Sequence, residues 1–360
     1  MKKKLPILII ISLGIIFSFI IIIRMNKSEI KYKEAEFYEQ LEEGKVKCQL
    51  CPNNCLLKNK QVGLCKVRQN FNGRLYSLVY GRAAAVNLDP IEKKPFFHFF
   101  PGEKAFSLGT AGCNLHCLNC QNWDIAQRSP KDIPAIELTP AEIIQKTKAS
   151  GAKIIAFTYN EPTVGYEYLK DTAKLAKDNN LKTVIVSNGY LNQLPLLELL
   201  PYLDAIKIDL KSFNPQTYLK LTGAQLEPVL NTIKTVYQNK KWLEIVYLVV
   251  PTYTDKIEEI RDMCRYLKTN LSAEVPIHFS RFFPDYKLLD LPATDENFVK
   301  EARKVCLEEG MKYVYTGNMD DPEGSTTYSP IDGQPVIIRR GYTVEKINQS
   351  KLSEIKGVFF

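Results

Sequence analysis

Seven of the nine cysteines fall in two tight groups, and the tighter is Gly112-Cys113-Asn114-Leu115-His116-Cys117-Leu118-Asn119-Cys120. It sets three thiols at C-x3-C-x2-C spacing with no fourth cysteine nearby. Three thiolates can hold three irons of a four-iron cubane and leave the last iron open to a ligand; electron-carrying clusters normally use four. The same spacing also suits a zinc knuckle completed by His116. Spacing alone leaves both readings open. The other group, Cys48, Cys51, Cys55 and Cys65, can close a tetrahedral zinc site or hold an iron–sulfur cluster. Cys264 and Cys306 stand alone in predicted helices 256–268 and 295–309 and are expected to be core thiols. An odd number of cysteines cannot pair completely within the chain. Close spacing favours metal over a disulfide framework and hence a reducing compartment.

The elements that must carry these groups are legible from residue 104 onward. Apolar β-branched runs at 104–109, 153–158, 182–187, 204–210, 242–249, 275–280 and 312–316 alternate with amphipathic stretches. Thr139-Pro140-Ala141-Glu142 is a helix start with a capping box and proline in the first turn, and Gly151 supplies its stop. Such alternation implies parallel strands joined by right-handed crossovers, and six or seven units make an α/β partial (β/α) barrel. The unusual residues collect at strand C-terminal ends. The cysteine loop follows 104–109, Tyr159-Asn160-Glu161-Pro162 follows 153–158, and Ser187-Asn188-Gly189-Tyr190 closes 182–187. Asp209 and Lys211 end 204–210, and His278 leads towards Arg281. Parallel barrels build their active sites at that rim. His98, set among four phenylalanines, is expected to be a satisfied histidine in an aromatic cluster.

Composition narrows the setting. At 45% hydrophobic and 24% charged, the 360 residues are ordinary for a globular chain. The net charge of +8 is concentrated in residues 1–33, which carry +6, so the remainder is too weakly basic for a general nucleic-acid binder. Leu5 to Ile23 runs without a charge, long enough at about 1.5 Å per residue to span a bilayer, with no cleavage site after it. The reading is an N-terminal transmembrane helix within 1–24, then a juxtamembrane linker or helix at 25–46. A Cys-rich region follows at 47–100, a barrel at 101–318 and a C-terminal extension at 319–360. Flanking charge does not settle the anchor's orientation; the thiol chemistry favours a catalytic domain on the cytoplasmic side.

The loop Gly-Cys-Asn-Leu-His-Cys-Leu-Asn-Cys-Gln-Asn-Trp resembles the cluster loop of radical S-adenosylmethionine (SAM) enzymes, closest to the pyruvate formate-lyase activating enzyme-like branch. Asp89-Pro90-Ile91-Glu92-Lys93-Lys94-Pro95, His98, Pro101-Gly102 and Gly109-Thr110-Ala111-Gly112 narrow the resemblance to AmmeMemoRadiSam system radical SAM enzymes, over about residues 46–342. The resemblance implies a radical SAM barrel in which Cys113, Cys117 and Cys120 ligate a [4Fe–4S] cluster. The open iron would then bind the amino and carboxylate groups of SAM. Glu161 would meet the SAM ammonium, unless it is only a helix N-terminal acid. Asn188 and Gly189 would let backbone approach the cofactor, or form a simple turn. Asp209 and Lys211 resemble the Asp-Leu-Lys element of glycyl-radical activases, with Lys211 on an anion of SAM or substrate. His278 would hydrogen-bond the ribose or carboxylate.

The implied reaction is reductive cleavage of SAM to a 5′-deoxyadenosyl radical that abstracts hydrogen from an unidentified substrate, a protein being one option. A ferredoxin or flavodoxin would supply the electron. The family shares the N-terminal Cys48, Cys51, Cys55, Cys65 pattern, which implies zinc or a second iron–sulfur cluster. This sequence departs from the family's C-terminal C-x-x-C pair, carrying Ser329 and Asp332 there, so the usual metal ribbon is expected to be absent. The competing function class is a non-catalytic zinc-binding, membrane-tethered module.

Overall fold

The alternation of apolar and amphipathic segments becomes a single eight-stranded sheet in the computed structural model, which describes residues 32–359. Its strands are β1 (Ala85–Pro90), β2 (Lys104–Gly109), β3 (Ile154–Phe157), β4 (Lys182–Ser187), β5 (Ala205–Asp209), β6 (Trp242–Val249), β7 (Ile277–Arg281) and β8 (Val314–Gly317). Each strand pairs with its neighbour in sequence. All pairs from β2 to β8 are parallel, while β1 runs antiparallel along β2. The sheet is an open (β/α) barrel. The helices α1 (Pro140–Ala149), α2 (Tyr166–Asp178), α3 (Gln193–Leu199), α4 (Pro215–Thr222), α5 (Glu227–Gln238), α6 (Ile257–Asn270) and α7 (Glu296–Glu308) lie in the crossovers. Ile154, Ile155, Ala156 and Phe157 are all buried, as expected of a parallel strand covered on both faces.

Local chemistry sets the helix ends. Thr139 and Glu142 form the expected capping box of α1: the Glu142 amide donates to Thr139 Oγ1, and the Thr139 amide donates to the Glu142 carboxylate at 2.7 Å. Asn214 Oδ1 accepts the Gln216 and Thr217 amides, both at 3.0 Å, to start α4. Gly223, at φ +74°, ends it in the left-handed conformation that glycine adopts without strain.

Four expectations are corrected here. The proposed anchor, Leu5–Ile23, lies outside the described residues, and no helix among the described residues is long and apolar enough to cross a membrane. Among the described residues the fold is the α/β barrel, without the transmembrane helix first attached to it. The described part of the expected linker is built into structure instead: Tyr38–Gln40 pairs with Val46–Cys48, which pairs with Leu56–Leu57. The sheet begins at Ala85, inside the segment expected to be a separate Cys-rich region. An antiparallel edge strand that carries Asn87, Asp89 and Pro90 and is partly exposed has no continuous apolar signal. Finally, Cys264 and Cys306 are core residues but not free thiols. They are bonded to each other and tie α6 to α7.

Two buried ion pairs join the outlying segments to the barrel. Arg68, on the strand Arg68–Phe71, meets Glu167 of α2 at 3.1 Å, with both side chains inaccessible to solvent. Arg339, on the C-terminal strand Pro335–Arg340, faces Glu92 at 3.6 Å, caps the Phe97 ring and donates to Thr327 Oγ1. Removing one member of such a pair leaves a buried charge uncompensated. Below the sheet, Glu244 of β6 accepts hydrogen bonds from the Phe97 and His98 amides, Trp242 Nε1 and His278 Nε2. His98 is satisfied as expected, by Tyr315 Oη at 2.6 Å and the Lys356 carbonyl at 3.1 Å.

Burial pushes the His98 imidazole down to about 4, with the Glu244 charge opposing. A histidine in an unfolded chain titrates near ~6.5. Below that pH the unfolded state takes up a proton that the folded state refuses, so stability falls on acidification from about 6.5 to about 4. The difference is of order 3 kcal/mol, and His278, also pushed down by burial, acts in the same direction. Urea unfolding between pH 7.5 and 4.5 should show this loss, and His98→Gln should flatten it; an unchanged slope in the variant would contradict the assignment.

Candidate functional site

The segment between β2 and α1 is held in shape by its neighbours. β2 ends at Gly109, and Gly112 turns the chain at φ +84°. A Cβ at Gly112 would lie 2.3 Å from the Cys65 carbonyl oxygen and 2.6 Å from Val67, so only glycine fits. Asn160, just beyond β3, clamps this turn. Its Nδ2 donates to the Gly112 carbonyl at 2.7 Å, the Ala111 carbonyl at 3.2 Å and Thr110 Oγ1 at 3.1 Å. Its Oδ1 accepts the Thr110 amide at 3.0 Å. Further along, the amides of His116 and Leu118 donate to the carbonyls of Thr222 and Leu221 at the end of α4.

Cys113, Cys117 and Cys120 all line one cavity of about 720 Å³ at the C-terminal ends of the strands. Cys113 Sγ accepts from the Leu115 amide at 3.4 Å and from Asn188 Nδ2 at 3.6 Å. Burial pushes all three thiols above the usual range, Cys117 to about 11, while the Lys211 charge pulls Cys117 and Cys120 back. Metal ligation at these positions must therefore displace protons. His116 is not on the cavity wall that the three thiols share, and its Nδ1 pairs with Gln127 Oε1 at 2.9 Å. Three thiols on one wall, an N–H donor and an amide on sulfur, and a lysine charge alongside fit an anionic iron–sulfur group. Asn119 Oδ1, buried on the same wall with no protein partner, offers an acceptor to a bound donor.

The other expected residues divide. Asp209 lines the cavity between two lysines, bonded to Lys207 Nζ and to Lys211 Nζ at 2.8 Å. Burial raises its carboxyl, but the two ammonium groups outweigh burial and hold it well below the usual range. Lys211 also lines the cavity and remains charged. Glu161 lines the cavity, yet its carboxylate is already engaged by four donors: the Thr163 amide and hydroxyl, Ser187 Oγ and the Asn188 amide at 2.7 Å. It caps the short helix Pro162–Gly165 and ties the end of β3 to the end of β4. Burial nevertheless lifts its carboxyl above the usual range, which leaves it responsive to a nearby cation.

Asn188 is on the wall and reaches Cys113; Gly189 is not. A Cβ at Gly189 would press 3.2 Å from Ile208 and Val229, so its φ of +72° serves core packing. His278 lines the cavity floor with Nε2 committed to Glu244 at 2.7 Å. Arg281 turns to Glu296 and the Thr294 carbonyl, away from the site. Cys48, Cys51, Cys55 and Cys65 line a separate small cavity.

Three contributors were not singled out from sequence. Lys207 points inward from the middle of β5, where an alternating strand pattern gives no cue to its ion pair. Glu244 sits inside an apolar run. Asn160 lay within a motif read for its neighbour Glu161. Lys94 and Tyr159 form a further polar wall with Asp89, which accepts from Lys94 Nζ and Tyr159 Oη, both at 2.6 Å.

The sequence model of the Radical SAM superfamily matches residues 107–266. An uncharacterized protein of Methanocaldococcus jannaschii is 43% identical over 316 residues, which is 88% of this chain and 94% of that protein. The pyruvate formate-lyase-activating enzyme of Clostridium pasteurianum is 27% identical over 218 residues, 55% of this chain and 87% of that enzyme. Among solved structures, a domain of a pyruvate-formate lyase-activating enzyme from Bacteroides vulgatus aligns at 15% identity with a TM-score of 0.41, covering 45% of this chain and 98% of that one.

Replacing Asn160 by Ala removes the clamp while leaving every thiol in place. Stability should drop by about 1–3 kcal/mol, and in metal-free protein the Cys113 thiol should alkylate faster than in the parent, read by peptide mass spectrometry. Equal labelling rates would show that the loop holds its shape without Asn160.

Proposed function

We propose that this chain, which carries a Radical SAM superfamily domain over residues 107–266, is an enzyme related to the pyruvate formate-lyase activating branch, in the AmmeMemoRadiSam group. The observation that carries this reading is the placement of Cys113, Cys117 and Cys120 on one cavity wall, with the other four free thiols on a different cavity. Cys113, Cys117 and Cys120 would hold a [4Fe–4S] cluster with one iron left for SAM. When bound, these groups would supply reductive cleavage of SAM to methionine and a 5′-deoxyadenosyl radical, which takes hydrogen from the substrate.

The chain's own residues do the positioning. Asn160 and Gly112 fix the loop, and the Leu115 amide and Asn188 donate to sulfur. Lys211 stands ready for a carboxylate, with Asp209 holding its ammonium in place. Asn119 Oδ1 and the buried Glu161 carboxylate offer acceptors to an ammonium. Lys93 and Lys94, both paired with Asp89, line the same cavity with Tyr159 and with Tyr342 of the C-terminal hairpin. The site lies at the C-terminal ends of the strands, where parallel barrels build their active sites. A one-electron donor of the ferredoxin or flavodoxin class would serve as reductant, and a segment of another protein is a candidate substrate.

Full-length protein reconstituted anaerobically with iron and sulfide, then reduced with dithionite, should convert SAM to 5′-deoxyadenosine and methionine. Cys113→Ala/Cys117→Ala/Cys120→Ala should lower that conversion by at least roughly a hundredfold, as expected when an essential cofactor is lost. Full turnover by this variant would sink the assignment, as would a parent protein that takes up only zinc and leaves SAM intact.

A further inference from the structure

Three lysines are buried among the described residues: Lys94, Lys170 and Lys207. A buried ammonium carries three N–H donors, and each one left without an acceptor is costly. Lys170 meets Glu36 at 2.6 Å and Glu198 at 3.2 Å, and lies over the Phe37 and Tyr166 rings. Lys94 meets Asp89 at 2.6 Å and lies 4.3 Å from the centre of the Tyr159 ring. Lys207 has a single partner, one oxygen of Asp209.

The barrel explains why Lys207 finds no second one. Strand register sets it between Val186 of β4 and Glu244 of β6. The Val186 side chain offers no acceptor. Glu244 already takes the Phe97 and His98 amides, Trp242 Nε1 and His278 Nε2, which fills the roughly four lone-pair sites of a carboxylate. Two of the three Lys207 donors are thus without a protein acceptor, on a residue that lines the main cavity beside Asp209 and Lys211.

The same nitrogen is arranged as a nucleophile. A lysine amine is activated when it is desolvated or placed beside a second cation. Lys207 is 4% exposed, and Lys211 holds the other oxygen of the same Asp209 carboxylate at 2.8 Å. Burial pushes the Lys207 ammonium below the ordinary lysine range and the Lys211 charge adds to that, against the pull of Asp209.

We propose that Lys207 condenses with the keto group of a small 2-oxo acid to form a protonated imine, with Lys211 receiving the acid's carboxylate. The carbon–oxygen double bond of the ketone is replaced by a carbon–nitrogen double bond. Two of the three ammonium protons leave with the oxygen as water, and one N–H and the positive charge stay on nitrogen. No oxidant or reductant is consumed. The change removes the mismatch at Lys207: the imine has one N–H, and Asp209 accepts it with the ion pair kept. The carboxylate follows from the spacing. Lys207 and Lys211 sit on the two oxygens of one carboxylate, a few ångströms apart, and in a 2-oxo acid the carboxylate is bonded directly to the keto carbon. This inference deepens the function proposed above and rests on it for the cavity being a substrate site; it favours a small molecule there over a protein segment. The condensation itself needs neither metal nor SAM.

The test is borohydride trapping on full-length protein, metal-free and reconstituted alike, with 2-oxobutanoate as the probe. Borohydride reduces an imine to a secondary amine, which peptide mass spectrometry locates. Lys207 should be labelled saturably and ahead of every exposed lysine. Lys207→Met, which leaves Asp209 its Lys211 partner, should lose the label. Lys211→Met should raise the half-saturating concentration of 2-oxobutanoate by roughly tenfold and leave that of its methyl ester unchanged. Label spread over exposed lysines with Lys207 unmodified overturns the proposal, as does full labelling of Lys207→Met. If that variant does not fold, the parent's peptide map decides alone. Capture at Lys207 by a protein that leaves SAM intact when reconstituted and reduced would overturn the function proposed above and leave this site standing. SAM cleavage with Lys207 unlabelled would do the reverse.

Discussion

One asparagine amide fixes the turn from which the cysteine loop starts. The segment from Thr110 to Cys120 has no helix or strand of its own, and its thiols must still converge on one wall. Asn160 supplies that constraint by pairing with Thr110, Ala111 and Gly112 at once, as a strand would have done. The clamp works because β3 is buried on both faces, so a residue just past its end is held by the packed sheet. Gly112 completes the arrangement by letting the loop close onto the Cys65 carbonyl, a contact that any side chain would block. The two cysteine groups are thus packed together by backbone as much as by side chains.

Charge follows the same logic. A buried carboxylate is tolerated only when its lone pairs are occupied. Glu161, Asp209 and Glu244 solve this differently. Glu161 uses hydroxyls and amides, Asp209 uses two lysines, and Glu244 uses two amides, an indole and an imidazole. Of these, Asp209 alone is paired with cations, so it holds Lys207 and Lys211 as a fixed positive surface facing the cavity. Glu161, surrounded by neutral donors, keeps its charge undercompensated, and its raised carboxyl reports that. An incoming ammonium would meet that deficit, and an incoming carboxylate would meet Lys211.

The barrel was legible because its strands are buried on both faces and so read as unbroken apolar runs; predicted 182–187 and 242–249 match β4 and β6 end for end. The capping box at Thr139 was legible because its signal lies within four residues. β1 was not, since a half-exposed edge strand lacks that run. The loop thiols and their cavity were legible from spacing and from their place after a strand. What sequence could not show was allocation: that His278 is committed to Glu244, that Glu161 is already saturated by neutral donors, and that His116 turns to Gln127. These depend on which of several possible partners lies within 3 Å, and that is a property of tertiary packing. The pairing of Cys264 with Cys306 was hidden for the same reason, across 42 residues.

The C-terminal hairpin is held by packing rather than by its polar contacts. Ser329 and Asp332, at the positions where the resemblance led us to expect a cysteine pair, form a polar latch: Ser329 Oγ bonds the Glu354 carboxylate and Asp332 pairs with Lys351. Partly exposed pairs of this kind contribute little stability, so the latch cannot be what anchors the hairpin. The anchor is beneath it. Phe97, Tyr313, Tyr315, Val336, Ile337 and Ile355 form one buried cluster, and Arg339 crosses it to reach Glu92, the Phe97 carbonyl and Thr327. That aromatic cluster rests on Glu244 through the Phe97 amide. The same carboxylate holds His278 in the cavity floor, so the hairpin that brings Tyr342 to the cavity is positioned from below through the group that orients the floor.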